Sequence, residues 1–182
     1  MTEWQELGKG STATVTPCVP TETAMATPGL DQGKVMLIKE TVARGCTNNE
    51  FQLLMHLAST YGLDPLRREI WAVKYGSAPA QIFTGRDGYL SIAHRSGQFD
   101  GMESGVRDDG NGEQVGWCKV YRKDMSHPFS VEVYMKEYNT GKSLWLSKPR
   151  IMLQKVAESS ALRRAFSISG IYSPEEFQDG GQ

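Results

Sequence analysis

Residues 145–172 constrain the fold of this chain most, because their pattern favours one long helix with a positively charged face. Pro149 suits the first turn, where its missing N–H removes no hydrogen bond, and Gly170 suits the end of the helix. Four polar side chains follow at offsets of 7, 11 and 15 residues from the first: Lys148, Lys155, Ser159 and Arg163. At about 100° and ~1.5 Å per residue they share one narrow face about 22 Å long.

A row of cations and a hydroxyl without a carboxylate suits a ligand whose negative charges are regularly spaced, such as a nucleic-acid backbone. A solvated helix surface is the alternative explanation of the same pattern. The charge balance favours the nucleic acid, since residues 119–164 hold ten Lys and Arg against four Asp and Glu while the whole chain has a net charge of −1.

Composition sets further bounds. A chain of 182 residues with 39% hydrophobic and 23% charged residues predicts one ordinary globular domain. The three cysteines are odd in number and widely separated, so neither a disulfide framework nor a metal site is indicated, and the three histidines show no ligand spacing. No signal sequence and no apolar run of 18 residues is evident, so we expect a soluble, cytoplasmic protein that does not bind membranes.

The order of predicted elements indicates an α+β fold in which a small antiparallel sheet packs with helices. Residues 1–33 are predicted to be a flexible arm, residues 34–173 the core domain and residues 174–182 a short tail. Helices are predicted over residues 35–43, from the capping box of Thr47 and Glu50 to Gly62, and over residues 86–95. Strands are predicted at residues 70–75, 81–84, 117–122 and 129–136, and residues 101–116 are predicted to be a Gly-rich, acidic loop.

Motifs for catalysis are weak. Gly141-Lys142-Ser143 resembles the end of a phosphate-binding P-loop, but Lys136 stands where that loop needs a glycine. A Gly-containing loop holds four side chains that could ligate a divalent cation: Asp108, Asp109, Asn111 and Glu113. A solvated hairpin tip is the favoured interpretation of this loop. Cys118 is expected to pack within a strand. The sequence therefore predicts no enzyme active site.

A series of short motifs, taken in order, resembles the phage single-strand annealing proteins of the Redβ (Bet) type, and residues 85–98 also resemble the wider RecT group. The matching residues are Tyr61-Gly62-Leu63-Asp64-Pro65, Glu69-Ile70, Gly85-Arg86-Asp87-Gly88-Tyr89, Gln98-Phe99-Asp100-Gly101-Met102, Tyr121-Arg122-Lys123-Asp124, His127-Pro128, Trp145 with Ser147 and Pro149, Arg163, Ala165-Phe166 and Gly170-Ile171-Tyr172.

The resemblance implies an α+β annealing core that binds single-stranded DNA without ATP and anneals it to a complementary strand during phage homologous recombination in a bacterial host. It also implies homo-oligomeric rings or helical filaments, which hold single strands and annealed duplex, and a phage exonuclease partner. No cofactor is implied, and Mg²⁺ would assist only by screening the strands. Two alternatives stay open: a single-strand-binding accessory protein that does not anneal, and a metal-dependent nuclease.

The resemblance also implies residue roles. Basic residues on the helix after the Trp-x-Ser motif, Trp145 and Ser147, contact phosphates in this family, which by position indicates Lys148, Arg150 and Arg163 here. Together, the helical pattern, the strand ends and the resemblance predict ten residues that bind DNA: Lys74, Arg122, Lys123, Trp145, Ser147, Lys148, Arg150, Lys155, Ser159 and Arg163. Three departures are evident: Lys74 lies upstream of the family's basic hairpin-turn residue, Val156 replaces a frequent Lys, and the chain ends at Gln182 before the relatives' further C-terminal module.

Overall fold

A computed structural model of the protein describes residues 31–176. The helices and strands of this part of the chain are α1 Gln32–Thr41, α2 Asn48–Tyr61, β1 Trp71–Val73, β2 Gln81–Phe83, α3 Arg86–Arg95, β3 Phe99–Asp108, β4 Gln114–Arg122, β5 Phe129–Tyr134, α4 Met135–Tyr138, α5 Ser143–Ser147 and α6 Pro149–Ala165, followed by a 3₁₀ turn at Pro174–Glu176. The predicted α+β class with a small antiparallel sheet is confirmed.

Local signals correctly placed α2 and α3. The Thr47 hydroxyl accepts the Glu50 N–H at 3.3 Å and the Glu50 carboxylate accepts the Thr47 N–H at 2.7 Å, which is the predicted capping box. Gly62 ends α2 with a φ of 61°, a conformation that favours glycine. The helix α1 starts at Gln32, so residues 32 and 33 of the predicted arm are helical, whereas residues 1–30 of that arm lie outside the described residues.

Two antiparallel sheets form within the described residues, a β1–β2 pair and a three-stranded sheet in the order β3-β4-β5. The prediction of a loop over residues 101–116 was wrong, because β3 runs from Phe99 to Asp108 and pairs with β4. Glycines obscured the strand pattern. The glycine at position 105 has a packing explanation, because a Cβ there would lie 3.2 Å from the indole nitrogen of Trp117 on β4.

The helix α6 packs across the three-stranded sheet and forms the centre of the core. Leu153, Val156 and Leu162 of α6 are fully buried, as is Val120 of β4. Helix and strand approach closely at Gly116, where a Cβ would lie 2.8 Å from the backbone oxygen of Leu153. The sheet therefore fixes the position of α6 and of the cations that it carries.

The predicted single helix over residues 145–172 is wrong at both ends. Pro149 disfavours helical geometry at the residue before it, and Lys148 accordingly has φ −141° and ψ 52°, which separates α5 from α6. The helix α6 ends at Ala165 rather than at Gly170. The chain then turns so that Ile171 is buried and Tyr172 pairs with Phe83 of β2.

Candidate nucleic-acid interface

The N-terminal end of α6 carries accessible cations. Lys148 and Arg150 are exposed, and neither forms an ion pair with another residue among 31–176. Arg150 donates one hydrogen bond, at 3.2 Å to the backbone oxygen of Val106 on β3, which leaves most of its guanidinium N–H groups available. The first turn of α6 contains no acidic residue and no side chain caps it, so the partial positive charge of the helix terminus adds to both cations.

Further along α6 the surface is different, because acidic residues of the 3₁₀ turn lie against the cations Lys155 and Arg163. The Arg163 guanidinium donates to the Glu176 carboxylate at 2.6 Å, and the Lys155 ammonium lies 3.9 Å from that of Glu175. The predicted row itself contains no carboxylate, but the fold brings two from another segment against its cations. The sequence did hold a signal, since two adjacent glutamates follow Pro174 shortly after the basic helix.

Ser159 does not belong to an accessible row. Its side chain is completely buried, and its Oγ has no hydrogen-bond partner in the described structure. Lys148 is not part of the row either, since its non-helical backbone removes the basis for placing its side chain by a 100° step per residue. The predicted alignment is wrong for Lys148, because α6 starts after that residue. Lys155, Ser159 and Arg163 do lie at four-residue spacing in one helix, but Ser159 is buried and not accessible.

The Trp-x-Ser motif lies at the end of α5. Trp145 is 7% exposed, so its indole ring packs in the core and is not available for stacking on a base in this conformation. Ser147 is exposed, and its hydroxyl donates to the backbone oxygen of Ser143 at 3.4 Å. Of this pair, Ser147 is the side chain that a ligand could reach.

Of the two predicted residues at the end of β4, Arg122 is held within the fold and Lys123 is exposed. Arg122 donates to both carboxylate oxygens of Asp124, at 2.8 and 2.6 Å, and to the backbone oxygen of Ala165 at the end of α6. Its guanidinium also lies 5.2 Å from the ring centre of Phe166. Arg122 thus fastens β4 to α6, whereas the neighbouring Lys123 is exposed and forms no ion pair within the described residues.

Lys74 lies in a separate structural contact. Its ammonium lies 2.9 Å from the Glu50 carboxylate, and its side chain is 17% exposed. This pair joins the segment after β1 to the start of α2. A contact between Lys74 and DNA is still a prediction, as it is for every residue in the predicted set, but Lys74 would have to leave Glu50 to make it.

A buried polar network holds α6 in place, and the sequence did not reveal it. The Glu158 side chain is 3% exposed and accepts hydrogen bonds from Ser104 of β3 at 2.6 Å, Gln154 at 2.9 Å and Arg86 of α3 at 3.3 Å. A lone glutamate among basic residues gives no sequence signal for such a role. Its partners lie on elements that come together only in the fold, and one of them is the strand that was not predicted.

Groups that could support catalysis have structural roles here. Cys118 is fully buried in β4, which confirms that it packs, and this burial raises the pKa of its thiol to about 12. At the tip between β3 and β4, Asp109 accepts the N–H groups of Asn111 and Glu113 at 2.7 and 3.1 Å. Among residues 31–176, no group of three or more His, Cys, Asp or Glu side chains could hold a metal ion. No helix within this range is long and apolar enough to cross a membrane.

The fold and the site define a small α+β domain in which exposed cations lie at the start of a helix and carboxylate-paired cations lie further along it. Residues 29–182 match the RecT family, and the chain belongs to that family. The resemblance seen in the sequence is thereby confirmed.

The chain is also similar to two individual proteins. It is 31% identical over 156 residues to recombination protein bet of Escherichia phage lambda, an alignment that covers 80% of this chain and 58% of the relative. It is 28% identical over 137 residues to an uncharacterized protein of Ureaplasma parvum serovar 3, which covers 72% of this chain and 62% of that protein. The chain thus spans about three fifths of the length of these two relatives.

Proposed function

We propose that this chain binds single-stranded DNA and anneals it to a complementary strand during recombination, without ATP and without breaking a covalent bond. The observation that carries the proposal is that Lys148 and Arg150, at the start of α6 in a domain of the RecT family, are exposed and form no ion pair within residues 31–176. The similarity to a phage protein named for recombination supports the biological setting.

In this proposal, phosphate contacts supply the affinity for the strand. Lys148 and Arg150 would neutralise backbone phosphates and release the counterions condensed on the strand, which supplies affinity regardless of sequence. Trp145 is buried, so this part of the protein does not offer its indole as a stacking platform. A strand held by its backbone keeps its base edges free, and a second strand can then test them by pairing.

One domain would hold only a few nucleotides, and repeated copies along a strand would raise the overall affinity through effective concentration. We therefore propose that the active form is a homo-oligomeric ring or filament that holds both single strands and the annealed duplex. A phage exonuclease that produces the single strands fits the same role. Mg²⁺ would assist by screening the two phosphate backbones, with no catalytic step.

The proposal is tested by mixing two complementary oligonucleotides, one with a fluorophore and one with a quencher, and following duplex formation with and without the protein. We expect the full chain to accelerate annealing and Lys148→Ala/Arg150→Ala to lose most of this effect. Lys34→Ala/Arg44→Ala is the matched control, because it removes the same charge from exposed positions on α1 and just after it. The control variant should retain the activity.

Two outcomes would favour other functions. Tight binding of single strands without faster annealing would indicate an accessory protein that only coats DNA. Cleavage of labelled DNA in the presence of Mg²⁺ or Mn²⁺, abolished by Asp109→Ala, would indicate a nuclease.

A further inference from the structure

Building on the DNA-binding function proposed above, we propose that the Pro174–Glu176 turn competes with DNA for α6. In this proposal the carboxylates of Glu175 and Glu176 occupy Lys155 and Arg163 in the free protein, and phosphates of a bound strand replace them. The turn would thus restrict DNA binding to strands that can complete the exchange.

The turn contacts α6 through two ion pairs, one short and one long. The Arg163–Glu176 pair is short, at 2.6 Å, and its side chains are 28% and 12% exposed. Glu176 also accepts a hydrogen bond from Ser160 of α6 at 3.3 Å, and the Arg163 guanidinium lies 5.7 Å from the ring centre of Tyr172. The second pair, Lys155 with Glu175, is longer at 3.9 Å and therefore weaker.

Carboxylate and phosphate are interchangeable ligands for these cations. A guanidinium binds both anions through the same parallel N–H groups, and an ammonium binds both as a point charge. A single phosphate in solution would compete poorly with a carboxylate on the same chain. A strand already held at Lys148 and Arg150 brings further phosphates close to the rest of α6, which raises their effective concentration.

The turn is attached so that it could leave without unfolding the domain. The chain is anchored before it, since Ile171 and Ser173 are fully buried and Tyr172 hydrogen-bonds to both Ile82 and Thr84, at 3.1 and 2.9 Å. Beyond this anchor, the hydrogen bonds of Glu176 within the described residues are with Ser160, Arg163 and Ser173, the residue just before its own turn. Its carboxylate also lies close enough to Tyr89 and Tyr138 to interact with them electrostatically. Burial raises the pKa of the Glu176 carboxyl, so a carboxylate at this position has lost hydration that it would regain on leaving α6.

The experiment compares the affinity of full-length variants for a fluorescent single-stranded oligonucleotide of mixed sequence at one fixed salt concentration. We expect Glu175→Gln/Glu176→Gln to bind roughly five- to thirty-fold more tightly than the wild type, the change that follows from removing one or two moderate ion-pair interactions. Glu40→Gln/Glu103→Gln removes the same charge from exposed positions on α1 and β3, and it should change the affinity less than two-fold.

A mutant cycle identifies the source of the gain. Glu176→Gln alone should tighten binding in the wild-type background and have little effect in an Arg163→Ala background, because the cation that it releases is then missing. Thermal unfolding checks that each variant is folded. Should Glu176→Gln unfold, Glu175→Gln measured with and without Lys155→Ala carries the same test.

The possible outcomes separate the two proposals. Wild-type binding with no gain in the glutamine variants, or a gain that is equal in the Arg163→Ala background, would overturn the competition and leave the DNA-binding function intact. Failure of both the wild type and the glutamine variants to bind any oligonucleotide would overturn the function itself. A gain as large in the Glu40→Gln/Glu103→Gln control would assign the effect to net charge and would also overturn the competition.

Discussion

The Lys74 ammonium lies 3.0 Å from one carboxylate oxygen of Glu50 and 2.9 Å from the other. The same carboxylate accepts the N–H groups of Thr47 and Ala80, at 2.7 and 2.9 Å. One glutamate therefore joins the cap of α2, the segment after β1 and the loop that leads into β2. This arrangement gives Lys74 a structural role whether or not it also contacts DNA.

The first prediction concerns stability as a function of pH. Hydrogen bonds to the Glu50 carboxylate, led by that from Lys74, lower its pKa from 4.5 to about 2. A carboxyl group whose pKa is lower in the folded state contributes stability that is complete above its unfolded pKa and is lost as the pH falls towards the folded one. Glu50→Gln should therefore be less stable than the wild type at pH 7, and the difference should shrink between pH 4.5 and about 2.

Urea unfolding at a series of pH values measures this difference. Glu40→Gln on α1 is the control, since Glu40 is exposed and forms no ion pair within the described residues. A gap between Glu50→Gln and the wild type that stays constant down to the lowest pH at which both fold would contradict the prediction.

Local signals in the sequence were enough where a residue acts on its own neighbours. The capping box of Thr47 and Glu50 and the left-handed Gly62 bound α2, and the bounds of α3 were predicted as they are found. These features depend on hydrogen bonds between residues close in the chain, so a pattern of a few residues is sufficient.

The prediction failed where tertiary contacts decide. The strand β3 is rich in glycine and becomes a strand by pairing with β4, which no local propensity indicates. The burial of Ser159 and the pairing of Arg163 with Glu176 depend on how α6 lies against the rest of the domain. A helical projection places side chains on a face, but it does not say what covers that face.

The second prediction tests the close contact at the start of α3. A Cβ at Gly88 would lie 2.0 Å from the Thr84 hydroxyl oxygen and 2.9 Å from the backbone oxygen of Glu69, and the Thr84 hydroxyl already donates to that oxygen at 2.6 Å. Gly88→Ala should lower the free energy of unfolding by about 1–3 kcal/mol through overpacking. Denaturant unfolding provides the measurement.

Gly85→Ala, three residues earlier, is the control for the second prediction. A Cβ at Gly85 would meet nothing within 4 Å, so its cost is limited to the weaker capping by alanine. Equal losses of stability in the two variants would argue against the packing described for Gly88.

The third prediction concerns the buried carboxylate of Glu158. Glu158→Ala removes the acceptor for Arg86, Ser104 and Gln154, and it should lower the free energy of unfolding by about 1–3 kcal/mol because buried donors are left unsatisfied. We expect no larger loss because the Arg86 side chain is 39% exposed, so water can hydrate its guanidinium in the variant. Glu158→Gln keeps the shape and an acceptor oxygen, so denaturant unfolding should find a smaller loss. A glutamine variant as unstable as the alanine variant would contradict this account of the network.

The last prediction tests the two accessible cations at the start of α6 through the salt dependence of DNA binding. Each phosphate that a single strand loses to a protein cation contributes about 0.7 to the slope of log K against log salt concentration. Lys148→Ala and Arg150→Ala should each reduce the magnitude of the slope by about this amount and weaken binding equally for every sequence. Lys34→Ala on α1 should leave the slope unchanged. The slope is obtained by titrating labelled oligonucleotides at several salt concentrations. An unchanged slope in Lys148→Ala or Arg150→Ala would show that this residue is not a phosphate contact. An unchanged slope in both variants would overturn the proposed mode of binding.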